Sequence, residues 1–455
     1  FDYKFLKKYG MSMSNVHDTM VVEKALTNGQ DTVQGFYSLA GLLNRYLNVQ
    51  MDKTQQTTFI NHTGEFTTQQ IVYAAKDVEY LHTLRDMQWA DAEKQGLVEC
   101  CKLENAAVLA FSDIEYNGML VDQSRWSELA EVKLEEALAL ESTLNQIILE
   151  DEQFIEFKPN AFQTDLFETE EVARVASVSI NWSSPHQTTP ILQKLLPSLE
   201  SSDTKILQAK HLGLHPLIPA FIDYKEKYKK ATAFGPKWLE KYVEPDGKVH
   251  TSFSQIIRTG RVSSARPNMQ QIPADNDYRN CFIAPEGWSY VSSDFSSQEL
   301  CIIAHASSDP VWLDALEKGQ DLHSVCADLV YGQEWLDAAD PDCVYMSSKQ
   351  KCDCKGHKSL RTAVKGINFG LAYGMGPHKL SDTLDIPMEE AQELIDKYFK
   401  VFPSIKTFLD KNGRFGKKHG FIRTMAPYNR VRKFPLWAGK ATEPKDNAAC
   451  ILMAG

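Results

Sequence analysis

No run of about 18 apolar residues occurs anywhere in the 455-residue chain, so no membrane-spanning helix is predicted. An N-terminal signal pattern is also missing. The chain begins with Phe1 rather than Met, and it reads as a fragment. No stretch is rich enough in Pro, Gly or Ser to form a long linker, and no internal repeat is visible, which sets aside low-complexity and solenoid architectures. Positive charge is not in excess: 49 Lys and Arg stand against 60 Asp and Glu, a net charge of −11. That balance argues mildly against a nucleic-acid binder. The nine cysteines, two of them adjacent (Cys100, Cys101), do not frame a disulfide scaffold. An odd count in a long chain points to a reducing, intracellular setting, with the cytoplasm as the expected location.

What is present is a hydrophobic fraction of 43%, enough for a large core and more than one domain. The basic residues are concentrated in three places: Lys225 to Lys230; Arg258, Arg261 and Arg266; and Lys411 to Lys433. Each reads either as a solvated face or as a phosphate-binding surface. Helical periodicity predicts helices over 67–87, 129–149, 216–243, 299–306, 321–331, 360–373, 388–402 and 405–419. Asp246-Gly247 predicts a hairpin before a strand over 249–255, and residues 287–294 predict a strand that ends at Asp294. Residues 155–200, with Pro159, Pro185, Pro190 and Pro197, are expected to be irregular, as are 332–358.

Two features carry chemistry. Asp294 follows an apolar segment and precedes a helix, where a carboxylate holds either a helix end or a hard cation. Arg361, Lys365, Phe369 and Tyr373 recur every four residues, which on a helix makes a strip with ~6 Å between steps. Two cations followed by a ring and a phenol do not make a core face. They suit a nucleotide lying along the helix, with phosphates on Arg361 and Lys365 and the sugar and base against Phe369. Gly370 and Gly374 leave room for a close approach.

The segment Arg361 to Gly374 resembles the fingers motif of family A DNA polymerases. Asp294-Phe295-Ser296-Ser297-Gln298-Glu299-Leu300 resembles the first palm motif, Thr259 to Pro273 the primer–template segment, and Asp321-Leu322-His323 the short motif whose His meets the triphosphate. All four stand in the family's order and cover residues 215–435. The resemblance implies that Asp294 binds two Mg2+ ions and that Glu299 excludes a 2′-hydroxyl. His323, Arg361 and Lys365 would hold the dNTP, with Lys365 also a proton donor to the leaving pyrophosphate. Phe369 would discriminate at the 3′ position and Tyr373 would stack near the templating base. Arg261, Asn268 and Gln270 would contact primer–template DNA. At the front, Phe1-Asp2-Tyr3 and Tyr73 to Asp77 resemble the second and third motifs of a 3′→5′ proofreading exonuclease, with Asp2 and Asp77 as metal ligands and Tyr73 orienting a water.

The implied fold is α+β and multidomain. A partial RNase H-like exonuclease (1–95) precedes a right-hand polymerase: connector and thumb (96–250), first part of the palm (251–318), fingers (319–435) and the start of the return to the palm (436–455). The Lys225–Lys230 helix of the thumb would track the duplex backbone. The family's second palm carboxylate motif and the first exonuclease motif have no counterpart here, so weak or absent polymerisation by residues 1–455 alone is expected. Three other readings stay open: a single-subunit RNA polymerase, against which Glu299 and the exonuclease motifs argue; a stand-alone nuclease, which leaves the Arg361–Tyr373 strip without a purpose; and a non-enzymatic module that binds primer–template and dNTP.

Outside these motifs, Cys343, Cys352, Cys354 and His357 offer three thiols and an imidazole. Such a set closes a tetrahedral Zn2+ site or forms a reduced, metal-free loop. The insertion that carries them is longer than expected for the bacterial repair enzymes of the family.

Overall fold

The computed structural model describes residues 2–158, 180–199, 201–204, 207, 213–273, 276–372, 374–384 and 386–434. Its regular structure is mainly helical, and among the described residues of 2–95 every regular element is a helix.

Two long helices, Gln123–Glu150 and Leu217–Ala233, pack along each other. Their seam buries Leu144, Ile148, Leu217, Ile218, Phe221 and Tyr224. The expected single helix over 216–243 is two, because Gly235 and Pro236 start a second one, Pro236–Tyr242. Proline lacks the N–H and fits only the first turn of a helix. The same rule reverses a second expectation. Pro185 sits in the first turn of a helix, Pro185–Leu195, within the stretch expected to be irregular, and Pro190 is tolerated inside it.

Three small antiparallel sheets follow. In the first, β1 (Met119–Val121) lies between β2 (Lys248–Val249) and β5 (Phe282–Ile283), with Leu120 opposite both Lys248 and Ile283. Gly118 turns the chain into β1 at φ 61°, a left-handed conformation that glycine adopts without strain. Under this sheet Trp126 stacks on Trp238 with centroids 4.3 Å apart. The second sheet pairs β3 (Ser252–Ser254) with β4 (Ser263–Ala265), and the third pairs β6 (Phe421–Arg423) with β7 (Val431–Lys433).

The largest core is enclosed by Gln298–Ser307, Pro310–Glu317, Leu322–Tyr331, Lys355–Ala372, Met388–Val401 and Pro403–His419, with the shorter helices Gln333–Asp337, Val344–Ser348 and Pro377–Leu384 adding Trp335, Tyr345 and Leu380. Trp312, Trp335, Tyr345, Tyr398 and Phe402 are fully buried in it. The expected helix over 360–373 starts five residues earlier, at Lys355. The expected helix over 67–87 is broken at Tyr80 into Thr68–Glu79 and Leu81–Gln95. The second half buries Leu84 against Leu42 and Leu43, whereas Ile71, Val72 and Val78 of the first half are exposed.

The expected strand over 287–294 does not form. Residues 288–295 have no regular structure, and Trp288, Val291 and Phe295 are 77%, 86% and 77% exposed. A strand needs neighbours for its N–H and C=O groups, and among the described residues none pairs with this segment.

Candidate active site

The helix Lys355–Ala372 is amphipathic with a polar stripe. Val364, Ile367, Asn368 and Leu371 face the core, whereas Lys365 is exposed and Arg361 and Phe369 are half-buried. The strip read from the sequence is therefore open rather than packed away. Tyr373 lies outside the described residues.

Arg361 is fixed from a neighbouring helix. Its Nε and Nη2 donate to Asp321 Oδ2 and Oδ1 at 2.6 and 2.8 Å, a two-pronged pair with both side chains less than 20% exposed. Asp321 is also the N-cap of Leu322–Tyr331, accepting from the backbone and hydroxyl of Ser324. Burial alone would raise its pKa. The hydrogen bonds from Arg361 and Ser324 more than reverse that and hold it below the usual carboxylate range.

His323, in the first turn of that helix, is buried, and its ring centroid lies 5.6 Å from that of Phe369. Burial first, and then the charges of Arg361 and Lys365, push its pKa down to about 4. Asn368 Nδ2 donates to His323 Nδ1 at 3.0 Å. With the amide in this orientation the neutral ring carries its proton on Nε2, which makes that nitrogen a donor. Neither Asp321's grip on Arg361 nor Asn368's on His323 was read from the sequence. Periodicity did hold a signal for the second: Asn368 falls at i+4 from Val364 on the apolar stripe, where an amide needs a partner.

Gly370 is used differently from the expectation. A Cβ there would lie 2.2 Å from Met375 Cε, so its bareness accommodates a side chain of the same chain. Gly374 adopts φ 76°.

Asp294 is exposed, four residues before the helix Gln298–Ser307, and no hydrogen bond or ion pair among the described residues holds it. Glu299, in the first turn of that helix, accepts from Arg261 Nη2 at 3.1 Å. Arg261 lies in the turn between β3 and β4. The opposite, open end of that hairpin is closed by Thr251, whose hydroxyl meets Ser264 Oγ at 2.6 Å and Pro267 O at 2.8 Å. Asn268 accepts from the backbone N–H of Gln270, and Gln270 Nε2 donates to Val262 O. Both therefore stabilise the loop, leaving Gln270 exposed.

The basic clusters separate on inspection. Lys225 donates to Ser183 O, Lys227 pairs with Glu136 and Lys230 with Glu226, so three of the four lysines of 225–230 are engaged within the chain. Arg430 pairs with Glu104, and Lys433 donates to Leu26 O at 2.7 Å. Lys411, Arg414, Lys417, Lys418 and Arg423 are exposed.

At the front, Tyr73 and Asp77 line one cavity of about 550 Å3 together with Asp52, Lys76 and Tyr80. Burial raises the pKa of Asp77, and Lys53 opposes that. Asp2 is on another element, Asp2–Lys8, whose Tyr3, Lys4 and Lys7 bond to Asp113 and Glu115 of the helix Val98–Asn117. A larger cavity, about 800 Å3, is lined by Lys358, Thr362 and Gly366 of the 355–372 helix and not by Arg361, Lys365 or Phe369. Size alone does not mark the site here. Cys343, Cys352, Cys354 and His357 converge in the core beside that helix.

Comparison with known proteins finds two family matches along the chain. The model of DNA polymerase family A matches residues 159–449, and that of a 3′-5′ exonuclease matches residues 1–90. The chain belongs to DNA polymerase family A. Among its relatives, the thermostable DNA polymerase I of Thermus aquaticus is 33% identical over 282 residues, 58% of this chain and 31% of that protein. DNA polymerase I of Deinococcus radiodurans is 33% identical over 268 residues, 55% of this chain and 26% of that protein. DNA polymerase I of Helicobacter pylori is 35% identical over 274 residues, 58% of this chain and 27% of that protein. The chain thus spans about three tenths of the length of these relatives. The POL domain of Pol1 from M. smegmatis, solved with DNA primer-template and dNTP, shares the fold with a TM-score of 0.72 at 22% identity, over 98% of this chain and 70% of that one. No helix among the described residues is long and apolar enough to cross a membrane.

Proposed function

We propose that this chain carries the nucleotide-holding side of a template-directed DNA polymerase, acting on dNTPs and primer–template DNA, with part of a 3′→5′ proofreading exonuclease in front. One observation supports the reading above others: Arg361, Lys365 and Phe369 form one strip of a helix, with His323 of a second helix buried beside Phe369, Arg361 held by Asp321 and His323 held by Asn368.

In this reading the triphosphate lies along the 355–372 helix. Arg361 and Lys365 neutralise its charge, and His323 donates from Nε2–H without adding charge of its own. Lys365, exposed and cationic, is placed to pass a proton to the departing pyrophosphate. Phe369 stacks against the sugar, and Glu299 occupies the space of a 2′-hydroxyl, which a ribonucleotide needs. Asp294 fits Mg2+ as a free carboxylate, because Mg2+ is commonly held by one or two carboxylates together with substrate phosphates; when bound, the metal supplies charge neutralisation and activates the primer 3′-hydroxyl. Arg261, Asn268 and Gln270 lie on the loop that would meet the primer–template. Tyr73 and Asp77, sharing a cavity, are the candidates for the exonuclease.

Single-nucleotide incorporation by the protein that carries this chain tests the reading. Extension of a primer with dNTP in preference to rNTP, abolished by Asp294→Ala, is expected. Preference for rNTP would favour the RNA polymerase alternative, and no template-dependent extension would remove the polymerase assignment.

A further inference from the structure

The segment 343–357, which runs into the nucleotide-holding helix, contains the most complete set of metal donors among the described residues. The ligand atoms of Cys343, Cys352, Cys354 and His357 all lie within 4.8 Å of one another, and all four residues are buried. His357 Nδ1 stands 3.1 Å from Cys352 Sγ and 3.4 Å from Cys343 Sγ. A tetrahedral Zn2+ with Zn–S near ~2.3 Å and Zn–N near ~2.05 Å places sulfur and nitrogen ~3.5 Å apart, so the set needs little movement to close.

The surroundings of His357 are those of a metal-ligating histidine. Its Nε2 donates to the Trp335 carbonyl at 2.7 Å, which fixes the proton there and leaves the Nδ1 lone pair facing the thiols. The ring lies flat on Trp335, with centroids 3.7 Å apart and planes 4° from parallel. Four protein ligands shielded from solvent leave no open position for water, which is the form of a structural rather than a catalytic site.

The site's position gives it a second consequence. Cys354 immediately precedes the helix Lys355–Ala372, and His357 is four residues before Arg361 on the same face. Cys343 immediately precedes a short helix, Val344–Ser348. From that helix Tyr345 donates to Asp328 at 2.8 Å, and Lys349, just beyond it, places its carbonyl on the Asp321 N–H at 3.1 Å. Asp321 in turn holds Arg361. An ion joining Cys343 to Cys354 and His357 therefore ties together both sides of the Asp321–Arg361 pair.

We propose that Cys343, Cys352, Cys354 and His357 hold one structural zinc ion that fastens the 355–372 helix to the helix carrying Asp321 and His323, so that nucleotide affinity depends on zinc. The link to nucleotide affinity rests on the polymerase reading, whereas the zinc site itself does not.

The test uses the purified 455-residue chain. Metal analysis should find about one zinc per chain, and Co2+ exchanged into the site should show a thiolate charge-transfer band. A zinc-selective chelator, followed by replenished Mg2+, should lower the melting temperature and weaken dNTP binding by about tenfold, the scale of losing one well-aimed charged hydrogen bond. Cys352→Ser should lose the zinc, with His357→Cys, which keeps four ligands, as the variant that retains it. A chain free of zinc whose melting is indifferent to chelator overturns the proposal. So does dNTP binding that is unchanged when zinc is removed from a folded chain. If the zinc-loaded chain binds no dNTP at all, the polymerase reading fails instead, while the metal count and the melting shift still decide the zinc site.

Discussion

Arg261 Nη2 lies 3.1 Å from Glu299 Oε1, joining the β3–β4 turn to the first turn of the helix Gln298–Ser307. Both side chains are substantially exposed, at 65% and 44%. The pair therefore contributes little to stability, about 0–1 kcal/mol. Its interest is positional: the carboxylate proposed to exclude a 2′-hydroxyl is held by an arginine proposed to meet the primer–template. Glu299→Ala should raise ribonucleotide use relative to deoxynucleotide by at least about tenfold. Arg261→Ala should relax the same ratio in the same direction, though less, with an unchanged melting temperature. Steady-state incorporation of matched dNTP and rNTP pairs measures both, and an unaltered ratio in Glu299→Ala would remove that residue from the sugar site.

Phe369 sits beside His323 with its ring half-buried, and in the proposed reading its tip meets the sugar. Phe369→Tyr should raise dideoxynucleotide incorporation by at least about tenfold relative to dNTP, because the phenol can replace the hydrogen bond that the missing 3′-hydroxyl would make. Chain-termination assays with mixed dNTP and ddNTP read this directly, and unchanged discrimination counts against the placement of Phe369 at the sugar.

Asp321 both caps the helix Leu322–Tyr331 and neutralises Arg361. Asp321→Ala removes the cap and leaves a partly buried guanidinium unpaired, a loss of about 2–3 kcal/mol. Asp321→Asn keeps the cap and loses the charge, and should be milder in denaturant unfolding while still raising the KM for dNTP. Equal stability of the two variants would mean that the ion pair, rather than the cap, carries the whole effect.

The pH dependence has a defined sign. His323 is neutral in the folded chain with its pKa pushed down to about 4, against an ordinary value of 6.5, by burial and the nearby cations. Between pH 6.5 and 4 the unfolded chain binds a proton here that the folded chain does not, so stability falls as pH falls through that window. The contribution, reduced for residual solvent access, is on the order of 2 kcal/mol. Melting curves from pH 7 to 4 should slope less steeply for His323→Gln than for the parent. Parallel curves would contradict a buried neutral His323.

Much of the site was legible because its residues obey a helix period. Arg361, Lys365 and Phe369 are four apart and share a face whatever surrounds them, and the helices after 388 announce themselves by amphipathicity. Three kinds of information were not local. The segment 287–294 has the alternation of a strand, but a ladder requires a partner that sequence cannot name. Pro185 reads as a breaker until its place in a first turn is known. The lysines of 225–230 look like a phosphate track until Ser183 and Glu136, distant in sequence, and Glu226, one helical turn away, are seen to take up three of them. Arg430 and Lys433 were likewise assigned to a basic surface, yet they are committed to Glu104 and Leu26. What the site adds beyond its motif residues, Asp321 on Arg361 and Asn368 on His323, is a matter of which helix lies beside which.

The contacts of the β6–β7 hairpin bear on how the molecule can be divided. Val431 shares one core with Val21, Val22, Leu26, Cys100, Cys101 and Ile256, so residues from both matched families fill the same interior. Trimming away the first ninety residues to isolate a polymerase would strip that interior of its lid and leave the Lys433 ammonium without the Leu26 carbonyl. Shortened versions intended for biochemical work should keep the helix Thr19–Thr27 together with its Asp18 cap.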